Sequence, residues 1–175
     1  MTAPPPGRAP LALRRAPSPA APGDLGGRPF SFIEVVQPVL DRRCVSCHGG
    51  AKTEGKVDLT AAPRDGYVRS YVALCGDRDF SGAGTNPKNA AEALVPRFGM
   101  RNQVAVTPPG GMYGAAGSRL LKILREGHAG AVLEPADLRR LAAWIDLNAI
   151  FYGVNSPEEQ SRQIRGERVG MPDLE

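Results

Sequence analysis

SFIEVVQPVLDRRCVSCHGG, residues 31–50, joins a helix signal to a tight group of two thiols and an imidazole. Phe32, Val35, Val36, Val39 and Leu40 recur at the spacing of one helical face. Ser31 and Glu34 fit a capping box, in which each side chain covers an orphan backbone N–H of the other. Pro38 removes one helical hydrogen bond, so a kink is expected there rather than an end. The helix then runs directly into Cys44-Val45-Ser46-Cys47-His48.

This C-x-x-C-H spacing is the attachment pattern of a c-type haem. On a helical turn, positions i and i+3 lie on one side, so Cys44 and Cys47 both reach the vinyl groups of one porphyrin. The adjacent His48 supplies the proximal imidazole to the iron. The expected cofactor is therefore a single covalent haem c, with the preceding helix as an apolar wall. Two other chemistries compete for the same residues. Cys44, Cys47, Cys75 and His128 make up a Cys₃His set for structural zinc. A dithiol redox pair is the other, but that normally sits where a strand opens into a helix, and here a helix comes first.

A six-coordinate haem needs a second axial ligand, commonly Met or His. His128, in REGHAG, is the one other histidine in the chain. It lies just before Pro135, which opens a further helix, and in small c-type cytochromes the distal ligand enters shortly before the C-terminal helix. Met112, flanked by glycines in PPGGMYGAAG, is the alternative ligand or a pocket-lining residue; Met100 and Met171 are less well placed. An open sixth position is the third option. Bis-histidine ligation implies a lower potential than His/Met ligation, and an open position implies small-molecule chemistry. Arg97, Arg101 and Arg119 are candidate partners for the haem propionates, and Cys75 reads as a small buried hydrophobe.

Outward from the motif, residues 1–29 hold eight prolines and four glycines and read as a proline-rich linker or arm. KVDLT (56–60) looks extended, GYVRSYVALCG (66–76) a short helix stopping at Gly76, and Gln103–Val106 one candidate strand. SRLLKILREG is a helix with Ser118 as N-cap and Gly127 as its stop. LEPADLRRLAAWIDLN is another, with Pro135 in its first turn and Leu138, Leu141, Ala142 and Ile145 on one face, Trp144 beside it. Residues 30–155 are thus expected to form one mainly α domain, with a long irregular insertion between the haem motif and the last two helices. Residues 156–175 read as a polar C-terminal extension, either a surface helix or an extended tail. With only ten aromatic residues against 38 glycines and prolines, the side-chain core is expected to be modest and the haem to complete it.

The formal charge of +4 rests on 18 arginines and four lysines, scattered rather than striped among aromatics, which argues against a nucleic-acid surface. No apolar run reaches the roughly 18 residues of a membrane span. The N-terminus has no apolar core of a secretory signal, because Arg14 and Arg15 interrupt its one apolar stretch. Haem attachment to C-x-x-C-H takes place outside the cytoplasm, so a periplasmic address is expected and the chain reads as a fragment or as having a misassigned start.

RPFSFIEVVQPVLDRRCVSCHGG, GSRLLKILREGHAG and LEPADLRRLAAWIDLNAIFYG together resemble the single-haem cytochrome c domains of planctomycete-type bacteria. Over roughly residues 28–153 the chain is similar to the C-terminal haem domain of the hydrazine synthase alpha subunit. The resemblance implies a cytochrome c-like fold, haem held by Cys44 and Cys47, His48 proximal, His128 distal, and a bis-histidine electron relay. In hydrazine synthase a different haem domain does the chemistry, so no catalytic residue carries over. Such domains follow a β-propeller in a longer polypeptide, which makes a redox protein or another haem domain the expected partner. The competing expectation is a haem enzyme with an exchangeable sixth ligand, acting on a small nitrogen or oxygen species; a zinc-binding interaction module is the third.

Overall fold

The computed structural model describes residue 16 and residues 27–50, 52–76, 93–97 and 113–171. About half of these are helical, so the chain is mainly α, and a single two-stranded hairpin is the sheet found among them. Helix α1 (Phe32–Val35) and helix α2 (Gln37–Arg43) meet at Val36, whose backbone stays right-handed helical and caps both. Pro38 falls in the first turn of α2, where no N–H is needed, so the bend lies just ahead of it. Ser31 accepts the Glu34 N–H at 3.4 Å, the expected cap. The Glu34 carboxylate turns outward to Arg28 (3.1 Å) and Arg168 (3.2 Å).

Helix α3 (Val45–His48) is one turn carrying the motif, followed by β1 (Lys52–Thr53) and a 3₁₀ turn at Glu54–Lys56. Strands β2 (Pro63–Arg64) and β3 (Tyr67–Val68) pair antiparallel around Asp65-Gly66, both with positive φ as a tight hairpin turn demands. Helix α4 (Arg69–Cys75) ends at Gly76, φ +81°, as its sequence predicts. Within the expected insertion the described residues thus hold this hairpin and α4, with irregular stretches at 57–62 and 93–97. The strand expected at Gln103–Val106 lies outside the described residues.

Helix α5 (Gly114–Gly117) leads into α6 (Arg119–Glu126), which Ser118 caps through the Leu121 N–H and which stops at Gly127, φ +94°. The Ser118 hydroxyl also donates to the Leu94 carbonyl (3.1 Å), and Leu120 N–H donates to that same oxygen (3.0 Å). Val95 N–H donates to Leu74 O at 2.9 Å, so residues 93–97 bridge α4 and α6. Helix α7 (Pro135–Asp146) opens on Pro135. Helix α8 (Pro157–Ile164) belongs to the same body, because Gln163 is buried and ties Phe30 O (3.2 Å) to Gly153 N–H (3.2 Å).

The core is richer in rings than ten aromatics suggest, because six of them converge. Phe32 is fully buried against Tyr71 (ring centres 5.2 Å), Trp144 (5.2 Å) and Phe151 (5.4 Å). Tyr67 and Tyr152 extend the group at 5.3 Å from Tyr71 and 4.6 Å from Phe151. Each such pair adds about 0.5–1.5 kcal/mol to area burial. Trp144 Nε1 donates to Ile150 O (3.0 Å) and Tyr71 Oη to Ala149 O (2.8 Å), which fix the left-handed turn at Asn148 and Ala149. The cluster thereby bolts α1, α4 and α7 together.

Candidate functional site

The motif turn is held from three directions. Cys44 ends α2 and begins α3, its carbonyl accepting from Cys47 N–H (3.1 Å) and His48 N–H (2.9 Å). These bonds close the single turn that sets Cys44, Cys47 and His48 on one side, as positions i, i+3 and i+4 require. The chain then doubles back: His48 pairs with Thr53 in an antiparallel bridge, and His48 O accepts from Leu59 N–H at 2.7 Å. Gly49 permits this, because a Cβ there would sit 2.7 Å from Val45 Cγ1 and 2.9 Å from Thr60 Cγ2. Buried Gln37 locks the return strand to α2, donating to Leu59 O (3.1 Å) and Asp41 (2.8 Å) and accepting from Ser70 Oγ (2.6 Å).

The imidazole of His48 is oriented by its Nδ1, which lies 3.0 Å from Glu54 O. A carbonyl only accepts, so Nδ1 carries a proton, and in the neutral ring Nε2 is the nitrogen able to bind a metal. A histidine ligand whose other nitrogen donates to a backbone carbonyl is the usual arrangement at metal sites. The two thiols differ. Cys47 is exposed, whereas Cys44 is half-buried against the core, and burial together with the neighbouring Cys47 pushes its pKa up.

His128 stands opposite. Its ring centre lies 5.9 Å from that of His48, with the two planes only 15° apart. The separation is within the range of offset-stacked rings. It matches the spacing of two imidazoles that share one metal atom, about 6 Å from two metal–nitrogen bonds of about 2 Å plus the ring radii. Residues 48 and 128 lie far apart in the chain, and the fold brings their rings together. His128 is exposed on the loop between α6 and α7, between Gly127, Ala129 and Gly130, all with positive φ.

The remaining candidates fall elsewhere. Met112, Met100 and Arg101 lie outside the described residues. Met171 is exposed, and Cys75 is half-buried at the end of α4 against the core. Among the described residues no three His, Cys, Asp or Glu side chains converge as a metal site, so Cys44, Cys47, Cys75 and His128 are not assembled into one. Arg97 is occupied at the aromatic end, donating to Asn148 O (2.9 Å) and to Tyr71 Oη. Arg119 is exposed. Sequence reasoning missed the ion cluster that links the two halves of the site: Asp137 is buried and bonds Arg42 (2.9 Å) and Arg43 (3.4 Å), the two residues before Cys44. Its signal was readable, since Asp137 falls in phase with the buried Leu141, Trp144 and Ile145 of α7.

Compared with protein-family models, curated proteins and solved structures, the chain has no match in any of the three. Among the described residues no helix is long and apolar enough to cross a membrane.

Proposed function

We propose that the chain is a cytochrome c-like domain that binds one covalent haem c and transfers single electrons. The observation that carries this reading is the His48–His128 pair: two near-parallel imidazoles 5.9 Å apart, one of them beside a C-x-x-C turn. Cys44 and Cys47 would hold the haem by thioether bonds, with His48 and His128 as its axial ligands. The haem supplies a one-electron couple whose potential follows from axial ligation, hydrogen bonding and burial.

The protein's own residues do the rest. Glu54 O, by accepting the Nδ1 hydrogen bond, fixes the ring so that Nε2 of His48 is the nitrogen offered to a metal, and makes it a stronger donor. The Gln37–Leu59–Ser70 network and the Gly49 contact keep the motif turn from rotating. Both features lower the structural change that accompanies a change in charge, which suits a relay. The address implied is the periplasm, where haem is attached to this motif, and the partner a redox protein or another haem domain.

One observation favours the second reading, a haem enzyme: His128 is exposed on a loop of left-handed residues, so its departure would free a coordination position. The zinc reading finds no support in the placement of Cys75, which sits at the end of α4 against the core.

Mass spectrometry under denaturing conditions tests the proposal. Protein produced with haem-attachment machinery should carry the added mass of one haem, and Cys44→Ser/Cys47→Ser should carry none. An unmodified mass for the unaltered chain, with metal lost on denaturation, would overturn it.

A further inference from the structure

The ion cluster between α2 and α7 bears on the same site. Asp137 is only 3% exposed, yet its carboxylate receives three guanidiniums. Arg42 reaches Oδ1 at 2.9 Å, Arg43 reaches Oδ2 at 3.4 Å, and Arg140 approaches Oδ1 at 3.7 Å. Arg43 also bonds Glu134 at 2.9 Å. A carboxylate this deep is stable only while paired, so the arginines and Asp137 hold one another in place. The first turn of α7 adds its helix N-terminal partial charge to the same end.

The location gives the cluster its meaning. Arg42 and Arg43 are the last residues of α2, directly before Cys44. Glu134 and Asp137 are the N-cap and first turn of α7, directly after the His128 loop. That loop buries none of its residues from Gly127 to Gly130, and within it Ala131 N–H donates to His128 O at 2.8 Å. Its position is therefore set by its two ends. At one end Ser118 and Leu120 fasten α6 to Leu94. At the other, Asp137 and Glu134 fasten the start of α7 to the segment that carries the motif. The far half of α7 is pinned separately, by Leu141, Trp144 and Ile145 in the core.

We propose that Asp137, through Arg42 and Arg43, is a positioning residue that holds the His128 loop against the motif turn and so keeps His128 opposite His48. This rests on the haem reading above. Loss of the Asp137 charge should release the first turn of α7 and the loop while leaving the aromatic core in place, because those contacts are distinct. The effect is then local opening rather than global unfolding.

The rate at which carbon monoxide binds the reduced, haem-loaded full chain reads that opening, since His128 must leave first. Asp137→Asn should bind about tenfold faster or more and gain a high-spin fraction, and Asp137→Glu should restore most of the slow binding. Gln163→Ala, which removes a buried link between α8 and Phe30, should lower the denaturation midpoint and leave the rate unchanged. If Asp137→Asn does not fold, Arg43→Gln, at a half-exposed residue, should show a smaller acceleration. A rate in Asp137→Asn no faster than in Gln163→Ala, or an unchanged rate in foldable Arg43→Gln, would overturn the proposal. Unaltered protein that binds as fast as His128→Ala would instead overturn His128 ligation itself, and the positioning role with it.

Discussion

At the scale of single residues, Cys44 and Cys47 are chemically unequal although three positions apart. The thiolate is the nucleophile, and Cys44 is both half-buried and shifted toward the protonated form by that burial and by its neighbour. In haem-free, reduced protein near neutral pH, iodoacetamide should therefore alkylate Cys47 before Cys44, with Cys75 followed separately by peptide mapping. Raising the pH toward the raised Cys44 pKa should narrow the gap, because the thiolate fraction at Cys44 grows. Equal rates at neutral pH would contradict the assignment of Cys44 as the buried partner. The motif residues themselves were legible in the sequence. The fixed tautomer of His48 was not, because its partner is a backbone carbonyl, and Glu54 O is brought there by the Gly49 turn rather than by any side-chain pattern.

At the scale of elements, those with both a periodic apolar face and a cap were readable: α1–α2 from Ser31, α6 between Ser118 and Gly127, α7 from Pro135. The hairpin was not, since strands of two residues are too short to show alternation, although Asp65-Gly66 marked its turn. Helix α8 looked like a solvated tail because its anchor, Gln163, is polar and buried by hydrogen bonding rather than by hydrophobicity. Asp137 is likewise polar and buried by its partners, although its phase with Leu141, Trp144 and Ile145 made it readable. Elements also differ in what holds them. The aromatic cluster secures α1, α4 and the second half of α7 without help from any cofactor, whereas the motif turn and the His128 loop hang on hydrogen bonds and ion pairs. Amide exchange in haem-free protein should therefore stay slow over 35–40, 71–75 and 141–146 and become fast over 45–50 and 127–134. Uniformly fast exchange would show that the aromatic end does not stand alone.

At the scale of the molecule, the described residues share one core built around the aromatic cluster, and the motif turn packs against that core through Cys44 and Val45. The sequence arithmetic pointed to a core short of large side chains; the structure concentrates six rings in one place. The most direct check is the visible absorption spectrum of the haem-loaded chain, oxidised and reduced, with and without added cyanide or carbon monoxide. The account predicts a low-spin spectrum in both states that changes little on adding either ligand over minutes, and a high-spin, ligand-binding spectrum in His128→Ala. A high-spin spectrum in the unaltered chain would contradict iron held between His48 and His128.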